Sequence, residues 1–177
     1  MLVVLKKRVW QVVLLLAMAL GVCYANSQAE EYYKMAKSYD ENKDYAKALQ
    51  YLQKAADMGD ARAYYTLGVL YTQGEKVEKA YFKAVQYFQK AAEMGSADAY
   101  NSLGLMYNIG KGVEQDYSKA LQYYQKAAEM GNAFSYYNLG VMYKKGYGVG
   151  QDKEMADQYF KKACDLGYQQ GCNNLKP

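Results

Sequence analysis

Histidine is absent from all 177 residues. That absence excludes His-based general acid–base catalysis, Ser-His and Cys-His nucleophile pairs, and His-ligated zinc. Proline occurs once, against 15 glycines and 22 tyrosines. A proline-rich linker or collagen-like chain is therefore excluded, and so much tyrosine argues against disorder. Arginine is nearly missing: Arg8 and Arg62 are the only two. Long apolar runs are scarce, and the one at the N-terminus, Val9–Val22, is 14 residues, short of the roughly 20 that a membrane-spanning helix needs.

What the N-terminus does have is the pattern of an export signal. Lys6, Lys7 and Arg8 precede the uncharged run, and Cys23-Tyr24-Ala25 places small residues at the −3 and −1 positions of a cleavage site between Ala25 and Asn26. The expectation is a signal peptide over 1–25 and a mature chain over 26–177, exported to the periplasm or secreted, with no stable membrane insertion after cleavage. An uncleaved anchor is the alternative. Lipidation of Cys23 is disfavoured by Val22, where such signals carry Gly or Ala. Removing the three basic residues leaves 19 basic against 18 acidic side chains, so the formal net charge of +4 belongs to the precursor. A nearly neutral chain with one arginine lacks the electrostatic footprint of a nucleic-acid binder.

Internal repetition dominates the rest. Gly59, Gly95, Gly131 and Gly167 recur every 36 residues, as do Leu67, Leu103 and Leu139, and Gly68, Gly104 and Gly140. Tyr71/Tyr107/Tyr143, Gly74/Gly110/Gly146, Ala84/Ala120/Ala156 and Tyr87/Tyr123/Tyr159 keep the same spacing. Full units run over 61–96, 97–132 and 133–168, a shorter unit over 29–60 precedes them, and a truncated cap over 169–177 follows.

Each unit reads as two helices. Ala61, Tyr64, Leu67, Gly68 and Tyr71 lie on one face of a 3.6-residue helix. A glycine-rich loop such as Gly110-Lys111-Gly112-Val113 ends it, and Asp116 and Asp152 stand at N-cap positions of the second helix. Small residues at Gly104, Ala120 and Ala127 let the helices approach, and tyrosines fill the space between them. One hairpin cannot bury its own apolar face, so neighbours must stack into an all-α, right-handed α-solenoid.

The run Leu103-Gly104-x-x-Tyr107-x-x-Gly110-x-Gly112-Val113-x-x-Asp116-x-x-Lys119-Ala120, followed by Tyr123-Tyr124-x-Lys126-Ala127-Ala128-x-x-Gly131, resembles the Sel1-like repeat, a relative of the tetratricopeptide repeat with a longer inter-helix loop. The first unit lacks four loop residues and reads as an N-terminal cap. The second has Lys76 for a loop glycine and Ala80 for the capping aspartate, which predicts a less ordered loop.

After cleavage the cysteines are Cys164 and Cys172. In register they replace Ala56/Ala92/Ala128 and Tyr64/Tyr100/Tyr136. If those columns touch across the turn, the thiols can join, closing a ring of about nine residues worth roughly 2.5 kcal/mol in chain entropy. Two free thiols are the alternative. A metal centre is disfavoured because two ligands cannot complete a tetrahedral shell, so no metal and no cofactor are expected. The segments Lys162–Gly167 and Gly171–Leu175 are similar to the secreted Helicobacter cysteine-rich branch of the family, in which each repeat carries such a pair.

The tetratricopeptide resemblance implies ligand binding along the concave face of the first helices. Carried over by position, that face includes Tyr33, Arg62, Tyr65, Asp98, Asn101, Phe134, Tyr137 and Asn138, with Lys34, Lys37, Thr66, Val69, Ser102, Leu105 and Val141 beside them. Rings with interleaved amides suit recognition of a protein or peptide partner. Tyr64, Tyr100 and Tyr136 read as core from their helical spacing. The cysteine-rich branch implies an alternative, β-lactam binding or weak β-lactamase activity. No Ser-x-x-Lys or Lys-Thr-Gly occurs in the chain, and no catalytic residue can be named. The reading is an exported, non-catalytic interaction scaffold.

Overall fold

A computed structural model describes residues 24–175. The signal-peptide expectation falls on residues 1–25, of which 1–23 lie outside the described residues. Every regular element among the described residues is a helix. In chain order these are α1 (24–41), α2 (Tyr45–Asp57), α3 (Ala61–Gln73), α4 (Tyr81–Glu93), α5 (Ala97–Ile109), α6 (Tyr117–Glu129), α7 (Ala133–Lys145), α8 (Lys153–Asp165) and α9 (Gln169–Asn174). Ala25 and Asn26 lie in the first turn described for α1.

The described chain falls into two compact units, divided between Ala63 and Tyr64. In the first, α1 and α2 form a hairpin. Ala29, Ala36, Ala48, Leu52, Ala55 and Ala56 are buried in it, and Tyr51 lies 6.0 Å from Tyr32 and 5.2 Å from Tyr39, ring centre to ring centre. The turn between these helices is shorter than its counterparts, and Lys43 takes the left-handed conformation (φ 61°) there.

In the second unit the helices pack in sequence as stacked hairpins: α5 on α6 and α7 on α8 within repeats, α4 on α5 and α6 on α7 between them. The close approach within a repeat comes from pairing glycine with a ring. A Cβ at Gly104 would lie 2.6 Å from the Tyr124 ring, and one at Gly140 would lie 2.6 Å from Phe160. Leu103, Leu139, Tyr124 and Phe160 are almost fully buried around these contacts. The columns expected to be core behave as a second layer. Tyr100, Tyr123 and Tyr107 form a half-buried stack with centroids 6.3 and 5.5 Å apart. Tyr136, Tyr159 and Tyr143 repeat it at 6.4 and 5.4 Å. Lysine ammonium groups lie over these rings, Lys126 at 5.6 Å from Tyr100 and Lys162 at 5.5 Å from Tyr136, so their aliphatic stems cover tyrosine faces that would otherwise be wet.

The helix starts follow the sequence. Asp116 and Asp152 accept from the amide three residues on (Lys119 and Met155, both 2.9 Å), and Ser96 and Asn132 do the same for α5 and α7. At the far end α9 is fastened by a Cys164–Cys172 disulfide with Cα atoms 4.8 Å apart. In the last repeat the two columns do meet across the turn, at Cys164 and Cys172. Gly171 lies where a Cβ would stand 2.6 Å from the Phe160 carbonyl oxygen, so α9 packs backbone-to-backbone on α8.

Candidate functional site on the first-helix face

The residues placed on the first-helix face gather into local groups, one in the first unit and two in the second. In the first unit, Arg62 forms a fork on Asp60, with Nε to Oδ1 at 3.0 Å and Nη2 to Oδ2 at 2.6 Å. Its guanidinium lies 4.8 Å from the centre of the Tyr33 ring. The hydrogen bonds it donates to Asp60 hold the Arg62 guanidinium above its ordinary pKa, against a smaller opposing effect of burial. Tyr33 and Arg62 therefore act together, and the arginine is oriented by a buried carboxylate.

In the second unit, Tyr65, Asp98, Asn101 and Asn138 belong to a polar ladder that links α5 to α7. The Asn132 amide donates to Asp98 Oδ1 at 2.8 Å, the Ser135 hydroxyl donates to Asn101 Oδ1 at 3.0 Å, and the Asn138 amide donates to the same Asn101 oxygen at 2.9 Å. Asn132 Oδ1 also accepts from the Ser135 amide and hydroxyl at 2.9 and 3.1 Å. Ser135 is fully buried, so its single hydroxyl proton is shared between Asn101 Oδ1 and Asn132 Oδ1, and together with the Asn138 amide it fixes the Asn101 carboxamide in one orientation. With Asn101 Oδ1 occupied from inside, its Nδ2 donor and the Asn138 Oδ1 acceptor are the ends left for other partners. Tyr65 joins through its phenol. Burial pushes that hydroxyl upward from its ordinary pKa, the nearby Asp98 carboxylate adds to the rise, and a hydrogen bond with Ser102 opposes it.

Phe134 and Tyr137 form the other group of this unit. The Tyr168 ring lies 4.7 Å from Phe134 and 5.2 Å from Tyr137, the latter edge-on, and Tyr137 rests 5.6 Å from Phe160. Phe134 is 52% exposed, an unusual state for a phenylalanine inside an ordered aromatic cluster.

Sequence reasoning missed three contributors. Asn132 caps α7, and its amide also reaches Asp98 of the preceding repeat. Ser135 replaces Ala63 and Ala99 in its column, a departure that marked a polar contact in an otherwise apolar position. Tyr168 replaces the capping column Asp60/Ser96/Asn132, and α9 has no side-chain cap as a result. One acceptor, Asn108 Oδ1, is buried without a hydrogen-bond partner among the described residues. In register it stands where Lys144 reaches Asn174, so it belongs to the same face one repeat earlier.

Among the described residues no group of three His, Cys, Asp or Glu side chains could hold a metal ion, and no helix is long and apolar enough to cross a membrane.

This repeat architecture has clear counterparts among known proteins. Over 75 residues, 42% of this chain and 26% of the other, the sequence is 41% identical to HcpC of Helicobacter pylori, which carries a provisional beta-lactamase name. The chain thus spans about a quarter of that relative's length. The structure superposes with a TM-score of 0.81 and 33% identity on c5321, a protective antigen of uropathogenic Escherichia coli, covering 86% of this chain and 34% of that one. Cysteine-rich protein B of Helicobacter pylori matches with a TM-score of 0.59 and 34% identity over 75% of this chain and 96% of its own. YrrB, a tetratricopeptide-repeat protein described as having an unusual peptide-binding site, matches with a TM-score of 0.53 and 25% identity, covering 84% and 74%. The Sel1 repeat model itself matches four times, at residues 32–60, 61–96, 97–132 and 133–168, and with a helical hairpin at each of those positions the chain belongs to the Sel1 repeat family.

Proposed function

We propose that the protein is an exported, non-catalytic scaffold that binds an extended segment of a partner protein on its first-helix face. One observation carries this reading: the Asn101 carboxamide oxygen accepts from the buried Ser135 hydroxyl and from the Asn138 amide, which orients both carboxamides with a donor and an acceptor left over. A pre-oriented donor and acceptor match a peptide backbone, and fixing them before binding removes part of the ordering cost. The peptide-binding site described for YrrB, a tetratricopeptide-repeat protein of similar fold, supports the same use. Tyr65, Asp98, Phe134 and Tyr137 supply the side-chain contacts of this site in the second unit, and Tyr33 and Arg62 form a candidate group of their own in the first. Export is supported by the N-terminal charge and apolar pattern and by the Cys164–Cys172 bridge, since disulfides persist in oxidising compartments.

The test is affinity capture from the exported fraction of the source cells by wild type and by Asn101→Ala/Asn138→Ala, with partners quantified by mass spectrometry. A partner retained by wild type and reduced at least tenfold by the double variant is expected. Equal retention by both proteins would contradict the reading. The similarity to HcpC favours one alternative, a β-lactam ligand. Hydrolysis of a chromogenic cephalosporin by the purified protein, unchanged in the asparagine variant, would support it instead.

A further inference from the structure

Repeat proteins display their own reference state, because each column shows what the fold needs. Two columns of the first-helix face are broken in the fourth repeat. Phe134 stands where Arg62 and Asp98 stand in the preceding repeats, so an apolar ring occupies a column that is otherwise charged. Tyr168 stands where Asp60, Ser96 and Asn132 cap their helices, and α9 starts without a side-chain cap. The two departures meet in space, with ring centroids 4.7 Å apart, and Tyr137 completes the cluster. Phe134 nevertheless remains half exposed.

We propose that Phe134, Tyr137 and Tyr168 form an anchor subsite for one large apolar or aromatic side chain of an extended peptide that carries a basic residue opposite Asp98. This rests on the first-helix face being the binding face. The anchor lies next to the ladder, since Tyr137 and Asn138 are neighbours on α7. Asp98 holds Asn132, the residue that caps α7 two residues before Phe134. Asp98 is the only carboxylate on α3, α5 and α7, and it is exposed. A lone carboxylate beside an aromatic surface selects a cation near an apolar anchor and disfavours an acid there. The Cys164–Cys172 bridge secures α9, and with it the Tyr168 wall of the subsite.

The probe is an array of capped nonapeptides whose central residue is varied and whose flanks are lysine or glutamate. It is read with protein purified from the exported fraction, disulfide intact. Peptides with Trp, Phe or Leu at the centre and lysine flanks should be retained at least tenfold better than alanine-centred or glutamate-flanked ones. Phe134→Arg, which restores the residue type of Arg62, should remove that preference tenfold, and Phe134→Leu should keep most of it. No preference at the centre, a preference for glutamate flanks, or retention untouched by Phe134→Arg would overturn the proposal. Sedimentation is run in parallel: a dimer lost in Phe134→Arg without peptide retention would give the patch to a second copy and overturn it too. Asn101→Ala/Asn138→Ala separates the two readings. Retention lost there but kept in Phe134→Arg leaves the face and removes the anchor. The reverse leaves the anchor and removes the ladder.

Discussion

The loop of the second repeat and the loops of the third and fourth connect identical pairs of 13-residue helices by different means. In the third and fourth, two left-handed glycines (Gly110 and Gly112; Gly146 and Gly148) carry the chain back against the preceding repeat. Gly112 lies on the Tyr81 main chain, Gly148 lies on that of Tyr117, and Tyr147 stacks on Tyr117 at 4.8 Å. A glutamine side chain then donates to the end of the first helix, Gln115 to the Asn108 carbonyl at 2.8 Å and Gln151 to that of Lys144 at 2.9 Å. An aspartate caps the second helix. In the second repeat these positions are Lys76, Lys79 and Ala80. Gly74 alone keeps a left-handed φ, and the Ala80 amide to the Tyr71 carbonyl (3.0 Å) is the bond shared with the other loops. Ala80 has φ −146° and ψ 85°, close to Asp116 at −148° and 98°, so the capping geometry survives without the capping group. Backbone conformation at a cap is therefore set by the helices on either side, and the side chain contributes stability to a shape already present. The third and fourth loops, built with glycine, amide and carboxylate, support the two helices that carry the polar ladder.

Substitutions can break or sharpen that contrast. Gly112→Ala should cost at least about 3 kcal/mol, since its φ is +75° and the new Cβ would fall 2.5 Å from the Tyr81 carbonyl. Gly131→Ala, with φ +83° and no atom within 4 Å, should cost only about 1 kcal/mol in the same denaturant titration. Equal costs would refute the close-approach account. Replacing Cys164 and Cys172 together by serine should lower stability by about 2.5 kcal/mol, and an unchanged thermal midpoint would show that the bridge adds nothing to the cap.

Ala80→Asp should stabilise the protein by about 1 kcal/mol at neutral pH, or 2–4 °C in thermal midpoint, while Asp152→Ala should lose a similar amount. The new cap carries a pH signature. At the equivalent position the Asp116 carboxyl is held below its ordinary value of 3.8, chiefly by the hydrogen bond from the Lys119 amide. A group depressed on folding stabilises above its unfolded pKa and loses that stabilisation as pH falls through the folded value. The Ala80→Asp gain should thus be complete near neutrality, begin to fall at about pH 4 and be gone only below the depressed folded value. Smallest of all, Lys79→Gln should add the missing bond to the Thr72 carbonyl for about 0.5–1 kcal/mol, measured by slowed amide exchange over 74–80.

Most of the architecture was legible because it repeats. A 36-residue period aligns Leu67, Leu103 and Leu139, or Asp116 and Asp152, without knowledge of any contact, and the chemistry of each column then names its role. The Cys164–Cys172 pairing was readable in the same way, conditional on two columns touching across a turn, with two free thiols as the alternative. The ladder was not, because its bonds join residues 34 to 37 positions apart. Such partners are chosen by how α5 and α7 pack, and a column alignment places Asn101 and Asn138 on a face without showing that they hold each other. Ser135 left a trace, a hydroxyl in an alanine column. The lysine-covered tyrosine stacks left one too, since Tyr64, Tyr100 and Tyr136 repeat together with Lys90, Lys126 and Lys162. Their half-buried state follows from the lysine stems, which close a layer that spacing alone assigns to the core.

The central claim is that the first-helix face, not the outer face, meets the partner. It is tested most directly by placing a photo-crosslinking amino acid in turn at Tyr65 and Asn101 on α3 and α5, and at the exposed Gln86 and Gln122 on α4 and α6. Irradiation in the intact cells, followed by mapping of the joined peptides, reads each site separately. The account predicts one partner segment captured from Tyr65 and Asn101 and none from the glutamines. Capture of that segment from Gln86 or Gln122, with Tyr65 and Asn101 silent, would contradict it.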